Sequence, residues 1–184
     1  MNNSTTAIAA INVSEENQMR ERVWDPFKVE FPNGLIGCPE WRNFILQPYP
    51  ADKLGELVCL DAQGISIAVA NPVWLKVNYD FELDESDVAF LQLTDVSEAL
   101  VLCVLTLQRQ PPVLYANLAG PLIINIKTKL GKQIVLNEQV YPLRTPVLDG
   151  QFAKEFIEIL TRQPLEHETS QPNNNIPFTR KKGA

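Results

Sequence analysis

The sequence predicts a mainly β protein, a small antiparallel β-barrel-like domain with one or two short helices. Short apolar or alternating runs follow one another from Val23 to Leu148, and Pro, Gly, Asn or Asp interrupts them roughly every ten residues. The runs with the composition of strands are residues 26–31, 43–47, 57–61, 65–70, 73–77, 99–107, 112–118, 122–127 and 132–137. Many short strands with turn signals between them are typical of a sandwich or a barrel.

Three turns between these runs contain glycines at positions that predict the geometry of the turn. DAQGIS places Gly64 where a hairpin needs a positive φ, and TKLGK places Gly131 in a short hairpin loop. FPNGLIG contains Gly34 after an asparagine and then Gly37, which predicts a tight connection. The alternation of strand and turn therefore continues through the whole segment.

Two segments have the signals of short helices. In LDESDVAFLQL, residues 83–93, acidic residues and Ser86 precede an apolar stretch, which suits a helix N-terminus by capping and by the helix dipole. Near the C-terminus, Phe152, Phe156 and Ile159 recur at helical spacing. These signals divide the chain into a flexible N-terminal extension (1–22), the β domain (23–148), a C-terminal helix (149–163) and a disordered polar tail (164–184).

Composition and charge restrict the function. The 184 residues carry a formal net charge of −6 and one histidine, His167, which leaves little for metal binding or acid–base chemistry. Cys38, Cys59 and Cys103 are far apart, so they are predicted to be buried free thiols in a reducing compartment. No apolar run approaches the ~20 residues of a membrane span, and the N-terminus lacks the basic start of a signal peptide. We therefore expect a cytoplasmic protein without a cofactor or a metal ion.

Motifs of catalytic chemistry are missing from the sequence. It contains no GxSxG, GxGxxG, P-loop or HExxH pattern, so no enzymatic activity is predicted. The acidic run DFELDESD does not fit a calcium loop. A loop that starts at Asp80 needs glycine at its sixth position and glutamate at its twelfth, and Glu85 and Leu91 stand there.

The segment from residue 77 to residue 98 is acidic and contains a single type of charge. Its acidic residues are Asp80, Glu82, Asp84, Glu85, Asp87, Asp95 and Glu98. One interpretation is a solvated helix start. The other is a surface whose one-sided negative field attracts a basic partner protein.

Basic and aromatic residues leave further alternatives. Lys127, Lys129 and Lys132 surround the turn after LIINI, where they either contact RNA or keep a strand edge soluble. The lack of interleaved aromatic residues and the acidic net charge favour the second, so no direct nucleic-acid binding is predicted. The large aromatic residues either fill the core or anchor an interface, and the core is favoured. They are Trp24, Trp41, Trp74 and Tyr79.

The order of several motifs resembles the FliW family of bacterial flagellar assembly factors. ANLAGPLIINIKTKLGKQIVL (116–136) is the strongest block, with asparagine–leucine, a proline, an apolar strand ending in asparagine, a glycine turn and a glutamine-led strand. The other blocks are FPNGLIGCPEWRNFIL (31–46), SIAVANPVWLKVNYDFEL (66–83), ALVLCVLTL (99–107) and YPLRTPV (141–147). Cys38 departs from a common aromatic, and Ala119–Gly120 departs from a common leucine–alanine. The resemblance covers residues 27–148 and does not include the first 22.

The resemblance implies a compact β-barrel-like fold without enzymatic activity, and it implies two protein partners. One is flagellin, bound in the cytoplasm before export, and the other is CsrA, an RNA-binding repressor of flagellin mRNA translation. A FliW-like protein sequesters CsrA, so translation proceeds, until accumulating flagellin takes up the FliW-like protein and frees CsrA. The main alternative is a β-barrel module that binds a carbohydrate or another small ligand in a large polar-lined pocket.

Within the resembling blocks, six residues are expected to be structural. They are Gly34, Gly37, Asn117, Pro121, Asn125 and Gly131. Pro121 is expected at a strand start, where a missing N–H is tolerated. Asn125 shares a strand face with Ile123 and with Lys127, so its side chain is expected outside the core.

Overall fold

Ten strands and one α-helix account for most of the chain that the structure describes. The structure, a computed structural model, describes residues 9–13, 25–48, 54–75, 79–147, 154, 156 and 157. The strands are β1 (Ala9–Val13), β2 (Phe27–Glu30), β3 (Asn43–Pro48), β4 (Leu54–Cys59), β5 (Ser66–Ala70), β6 (Tyr79–Leu83), β7 (Ala99–Arg109), β8 (Pro112–Asn125), β9 (Gly131–Gln133) and β10 (Thr145–Pro146). Helix α1 spans Glu85–Leu91, and 3₁₀ turns lie at Pro72–Leu75 and Val96–Glu98. The predicted mainly β fold is confirmed.

Eight of the strands form one antiparallel sheet that curves into a nearly closed barrel. β2, β3, β4 and β5 form a meander, β5 pairs with β7, and β7 pairs with β8. β8 then pairs with β10 along its first half and with β9 along its second half. A bridge between Glu30 and Leu130 places the end of β2 beside β9 and joins the two ends of the sheet. β1 and β6 form a separate antiparallel pair.

β7 and β8 occupy the centre of the fold because apolar side chains cover both of their faces. One face lies in the inner core, inside the barrel, with Phe31, Phe44 and Leu102. The other face lies in the outer core, which also contains the apolar residues of β1 and β6, Leu91 of α1, and Phe156. Burial on both faces explains why ALVLCVLTL is apolar at every position except Thr106 and does not alternate.

Three predicted strands have different structures from those expected. Residues 112–118 and 122–127 belong largely to one long strand, β8, because the residues between them form a bulge and not a turn. The predicted strand 73–77 begins instead as the 3₁₀ turn Pro72–Leu75. The predicted helix in residues 83–93 is confirmed as α1.

β1 and β6 are strands that the sequence did not predict. In β6 the apolar residues point into the outer core and alternate with the exposed Asp80 and Glu82. This period of two is a strand signal, but the neighbouring acidic residues indicate a helix start. β1 lies in the predicted flexible extension, and that prediction is wrong for residues 9–13, which pair with β6 and bury Ile11.

Two further predictions concern the C-terminal helix and the buried side chains. Residues 154, 156 and 157 are helical, while the rest of the predicted helix and the tail lie outside the described residues. Tyr79 is fully buried and Trp41 packs half-buried against the inner core, whereas Trp24 and the Trp74 side chain lie outside the described part. Cys59 and Cys103 are buried, as expected for free thiols, but Cys38 is partly exposed.

A bulge at NLAGP redirects β8. Leu102–Val104 of β7 lies opposite Asn117–Leu122 of β8, so β8 contains three more residues than β7 over this stretch, and the four residues 118–121 within it are buried. The Asn117 side-chain oxygen accepts a hydrogen bond from the Gly120 N–H at 2.9 Å. Pro121 lies inside this bulge and not at a strand start as predicted, and its missing N–H is tolerated because the ladder is already interrupted.

The barrel closes where the end of β2 meets the start of β9. The Glu30 N–H donates to the Lys129 carbonyl at 2.9 Å. The Phe31 ring, fully buried and edge-on to Phe44, lies so close to Gly131 that an added Cβ would stand 2.6 Å from two ring carbons. Gly131 is the first residue of β9, so its predicted place in the hairpin loop is wrong, and the residue of that turn with a positive φ is Lys129. Glycine is required at position 131 by the close approach of the Phe31 ring.

Gly131→Ala is expected to lower the free energy of unfolding by about 1–3 kcal/mol, because the new methyl group overlaps the Phe31 ring. Urea unfolding followed by tryptophan fluorescence measures the change. Adding Phe31→Leu should make the cost of Gly131→Ala smaller, since the smaller side chain leaves room for the methyl group.

Gly64→Ala is the matched control for this pair. Gly64 has a φ of +75° and no atom within 4 Å of an added Cβ, so its cost comes from backbone conformation and should not depend on Phe31. Additive costs for Gly131→Ala and Phe31→Leu would contradict the steric explanation.

Candidate protein-binding surface

The acidic residues between 77 and 98 separate into an exposed group and a buried group. Asp80, Glu82, Asp84, Glu85 and Asp95 are exposed, and Asp87 and Glu98 are buried. Since a buried carboxylate needs a partner, the two groups have different roles.

Glu98 is paired inside the protein. One of its carboxylate oxygens accepts hydrogen bonds from Lys127 Nζ and from Thr94 Oγ1, both at 2.6 Å, and the other accepts from the Thr94 N–H at 3.0 Å. The hydrogen bond from Lys127, followed by those from Thr94, lowers the pKa of Glu98 from 4.5 to about 2. Glu98 therefore stays ionised, and the positive charge of Lys127 neutralises its carboxylate.

Asp87 has a similar partner. Its Oδ1 accepts a hydrogen bond from Lys132 Nζ, and the same ammonium lies 5.2 Å from the centre of the Phe90 ring. Lys132 lies 45 residues from Asp87 in the chain, and Lys127 lies 29 residues from Glu98. The segment therefore lacks positive charge only in the linear sequence, because folding brings two lysines to two of its seven acidic residues.

Asp84 and Asp95 are exposed but also close turns of the backbone. The Asp84 side chain caps α1 by accepting from the Asp87 N–H at 2.7 Å, and Asp95 accepts from the Ser97 N–H at 2.7 Å. Two of the exposed acidic residues in this segment therefore also cap the starts of helical turns.

Asn125 is fully buried, so the expectation that its side chain lies outside the core is wrong. Its Nδ2 donates to the carbonyls of Leu91 and Gln92, at 2.9 and 3.0 Å. Its Oδ1 accepts from the N–H groups of Lys127 and Thr128, at 2.8 and 3.3 Å. Because the last carbonyls of a helix lack partners within the helix, this one amide ties the C-terminal end of α1 to the β8–β9 hairpin.

We define the acidic surface as Asp80, Glu82, Asp84 and Glu85, which are consecutive exposed acids along β6 and the start of α1. Within the described residues, Asp80, Glu82 and Glu85 form no side-chain ion pair. Their backbone is fixed from behind, because Tyr79 donates its hydroxyl to the Leu118 carbonyl. A second tyrosine, at position 141, donates its hydroxyl to the Asp80 carbonyl. Asp80, Glu82 and Glu85 are therefore exposed without an ion-pair partner in the described part of the chain, whereas Asp84 also caps α1.

The NGLIG turn depends on its glycines. Gly34 has a φ of +66°, and an added Cβ would stand 2.4 Å from the Pro39 carbonyl oxygen. Gly37 has a φ of +85°. A side chain at either position would strain the turn, which agrees with the structural role expected of these glycines.

Gln133 is a connecting residue that the sequence analysis did not single out. Its side-chain oxygen accepts from the Ile36 N–H at 2.9 Å, and its side-chain nitrogen donates to the Gly120 carbonyl at 3.1 Å. Gln133 thereby joins the NGLIG turn to the NLAGP bulge. Its position at the head of the glutamine-led strand was the signal that could have identified it.

Two open depressions on the described surface, of about 300 and 320 Å³, lie beside β2 and beside the NGLIG turn. Neither is an enclosed cavity, and the inner core fills the barrel with side chains. In the described part of the chain, no cluster of three or more histidine, cysteine, aspartate or glutamate residues could hold a metal ion. Nor does any described helix have the length and apolar character needed to cross a membrane. These features define a small β-barrel domain whose interior is filled with apolar side chains.

Comparison with known proteins places this domain in a family. The family described as FliW protein matches residues 3–147, and the chain therefore belongs to the FliW protein family. Because this match begins at residue 3, the expectation that the resemblance excludes the first 22 residues is wrong.

Individual relatives agree with this assignment. The chain is 31% identical over 120 residues to the flagellar assembly factor FliW of Clostridium botulinum strain Langeland, covering 65% of this chain and 84% of the relative. It is 30% identical over 124 residues to that of Clostridium kluyveri strain ATCC 8527, covering 67% and 86%. A crystal structure of the flagellar assembly factor FliW superposes with a TM-score of 0.60 at 24% identity, covering 65% of this chain and 84% of that chain, and it has the same fold.

The Glu98 ion pair makes stability depend on pH. The pKa of Glu98 is lowered from 4.5 to about 2 in the folded protein, so its contribution is complete above pH 4.5 and is lost as the pH falls towards 2. Glu98→Gln is therefore expected to lower the free energy of unfolding at pH 7, and its difference from wild type should shrink between pH 4.5 and pH 2. Urea unfolding at a series of pH values measures both.

Lys127→Met removes the partner and serves as the control. In that background Glu98→Gln should cost less at neutral pH, because the first cause of the lowered pKa is gone. A cost of Glu98→Gln that stays constant from pH 7 to pH 2 would exclude the ion pair as its origin.

Proposed function

We propose that the chain is a cytoplasmic, non-enzymatic flagellar assembly factor that binds flagellin and sequesters the translational repressor CsrA. Membership of the FliW family over residues 3–147 carries the proposal. Its relatives are named flagellar assembly factors. The resemblance of the motifs supplies the two partners and the order of exchange between them.

The acidic surface supports the part of the proposal that concerns CsrA. An RNA-binding repressor presents basic residues, and unpaired carboxylates at Asp80, Glu82 and Glu85 attract such a surface. The same negative field repels phosphate backbones, which favours the protein over its RNA as the partner. Relief of repression then follows from occupation of CsrA by this chain.

The small-ligand alternative has less support. A ligand-binding barrel needs a cavity that surrounds most of the ligand and carries a few convergent polar groups. The inner core fills the described interior with apolar side chains, and the two depressions are open. The proposal therefore rests on surfaces and not on a pocket.

The triple variant Asp80→Lys, Glu82→Lys and Glu85→Lys is expected to weaken CsrA binding several-fold at low salt, because it reverses the field of the acidic surface. The difference should become smaller as salt screens the charges. Asp84 and Asp87 are left unchanged because one caps α1 and the other pairs with Lys132. Titration calorimetry with purified CsrA measures the affinities.

The matched control reverses three exposed glutamates elsewhere, Glu30, Glu40 and Glu138, and has the same net charge. Equal CsrA affinities for the two triple variants would reject the acidic surface as the contact. Failure of the wild-type protein to bind either purified CsrA or purified flagellin would reject the proposed function itself.

A further inference from the structure

The chain that follows β9 forms one side of an open strand edge. The Ile134 N–H donates to the Pro121 carbonyl at 2.9 Å, and the Leu136 N–H donates to the Ala119 carbonyl at 2.8 Å. Backbone groups alternate in direction along an extended chain, so the N–H and C=O of Val135 point away from β8. In the residues that the structure describes, neither of these two groups has a hydrogen-bond partner.

Two side chains at this edge are apolar and exposed. Val135 is 73% exposed, and Ile36 of the NGLIG turn is 60% exposed. Gln133, two residues before Val135, hydrogen-bonds to Ile36 and lines the depression of about 320 Å³ with it. The open edge and the depression therefore form one continuous surface, which we call the β9 edge and define by Ile36, Gln133 and Val135.

The β9 edge carries no unpaired charge. Lys132 is the charged residue among those that line the depression, and its ammonium is held by Asp87. Soluble proteins usually block a free strand edge with an unpaired lysine or a proline. At Val135 an exposed β-branched side chain stands beside unpaired backbone groups instead, an arrangement that accepts another strand.

We propose that the β9 edge binds an extended, uncharged apolar segment of another protein by strand addition. The main chain of that segment hydrogen-bonds to the N–H and C=O of Val135, and one of its apolar side chains rests in the depression against Ile36. The unpaired backbone groups select an extended main chain, and the neutral lining selects apolar side chains over charged ones. The residues that define the β9 edge are different from those of the acidic surface, so the inference goes beyond the proposed function and does not need it to be correct.

Val135→Pro tests the backbone contact. Proline removes the N–H that would donate to the added strand, and the free protein tolerates the change because this N–H has no partner in it. Val135→Thr keeps the N–H and the branched side chain and is the matched control. The probe is a displayed library of random peptides selected on the wild-type protein, followed by affinity measurements with synthetic copies of the recovered peptides.

The recovered peptides are expected to have alternating apolar residues and to bind Val135→Pro about tenfold more weakly than wild type, the effect of one lost hydrogen bond. Their affinity for Val135→Thr should stay within about twofold of wild type. Hydrogen exchange of the Val135 amide in the wild-type protein should slow on saturation with peptide, a measurement that needs no variant to fold. Recovery of no peptide, equal binding to Val135→Pro, or unchanged exchange would each overturn the proposal.

Two further results separate the possible occupants. Sedimentation of wild type and Val135→Pro detects self-association, and a wild-type dimer that Val135→Pro makes monomeric would replace the proposed partner by a second copy of this chain. Purified flagellin and purified CsrA are tested in parallel. If the peptides bind through Val135 while neither protein binds the wild type, the β9 edge stands and the proposed function fails.

Discussion

The contact between Phe31 and Gly131 determines how far the sheet closes. The ring fills the inner core at the end of β2, and the glycine lets the start of β9 approach it. A single bridge between Glu30 and Leu130 then joins the end of β2 to the start of β9. Beyond that bridge the two segments separate. The NGLIG turn leads away from the sheet, while the segment after β9 continues along β8. The closed part gives the barrel its core, and the part beyond the bridge leaves an open edge.

β8 connects the closed part of the barrel to the acidic segment. Its bulge turns it from β10 towards β9, and Asn125 at its end holds the last carbonyls of α1. The hairpin that follows supplies Lys127 and Lys132 to Glu98 and Asp87. The strand and the hairpin after it therefore position α1 and pair with the two buried acids, while the exposed acids form no ion pair in the described part of the chain.

Whether an acidic residue in this segment has a lysine partner therefore depends on its burial and not on its position in the sequence. The carboxylates that face the protein are paired, and the pKa of Glu98 is held near 2 by its lysine and threonine. The carboxylates on the outward face of β6 and at the start of α1 remain available to a partner. The β9 edge has no charged residue among the three that define it, and it exposes the apolar side chains of Ile36 and Val135. Two surfaces with different chemistry on one small barrel suit a protein whose proposed task is to bind one partner and then another.

The amino-acid sequence by itself determined the fold class, most strands and α1, because these depend on local periodicity, turn residues and capping. It also carried the family in the order of its motifs. The tertiary structure alone decided the roles of Asn125, Gln133 and Gly131, since each acts through a contact with a residue distant in the chain. It likewise divided the seven acids, because the lysines that pair with Asp87 and Glu98 come from another hairpin. Local patterns report on neighbours in sequence, and these contacts exist only once the strands are side by side.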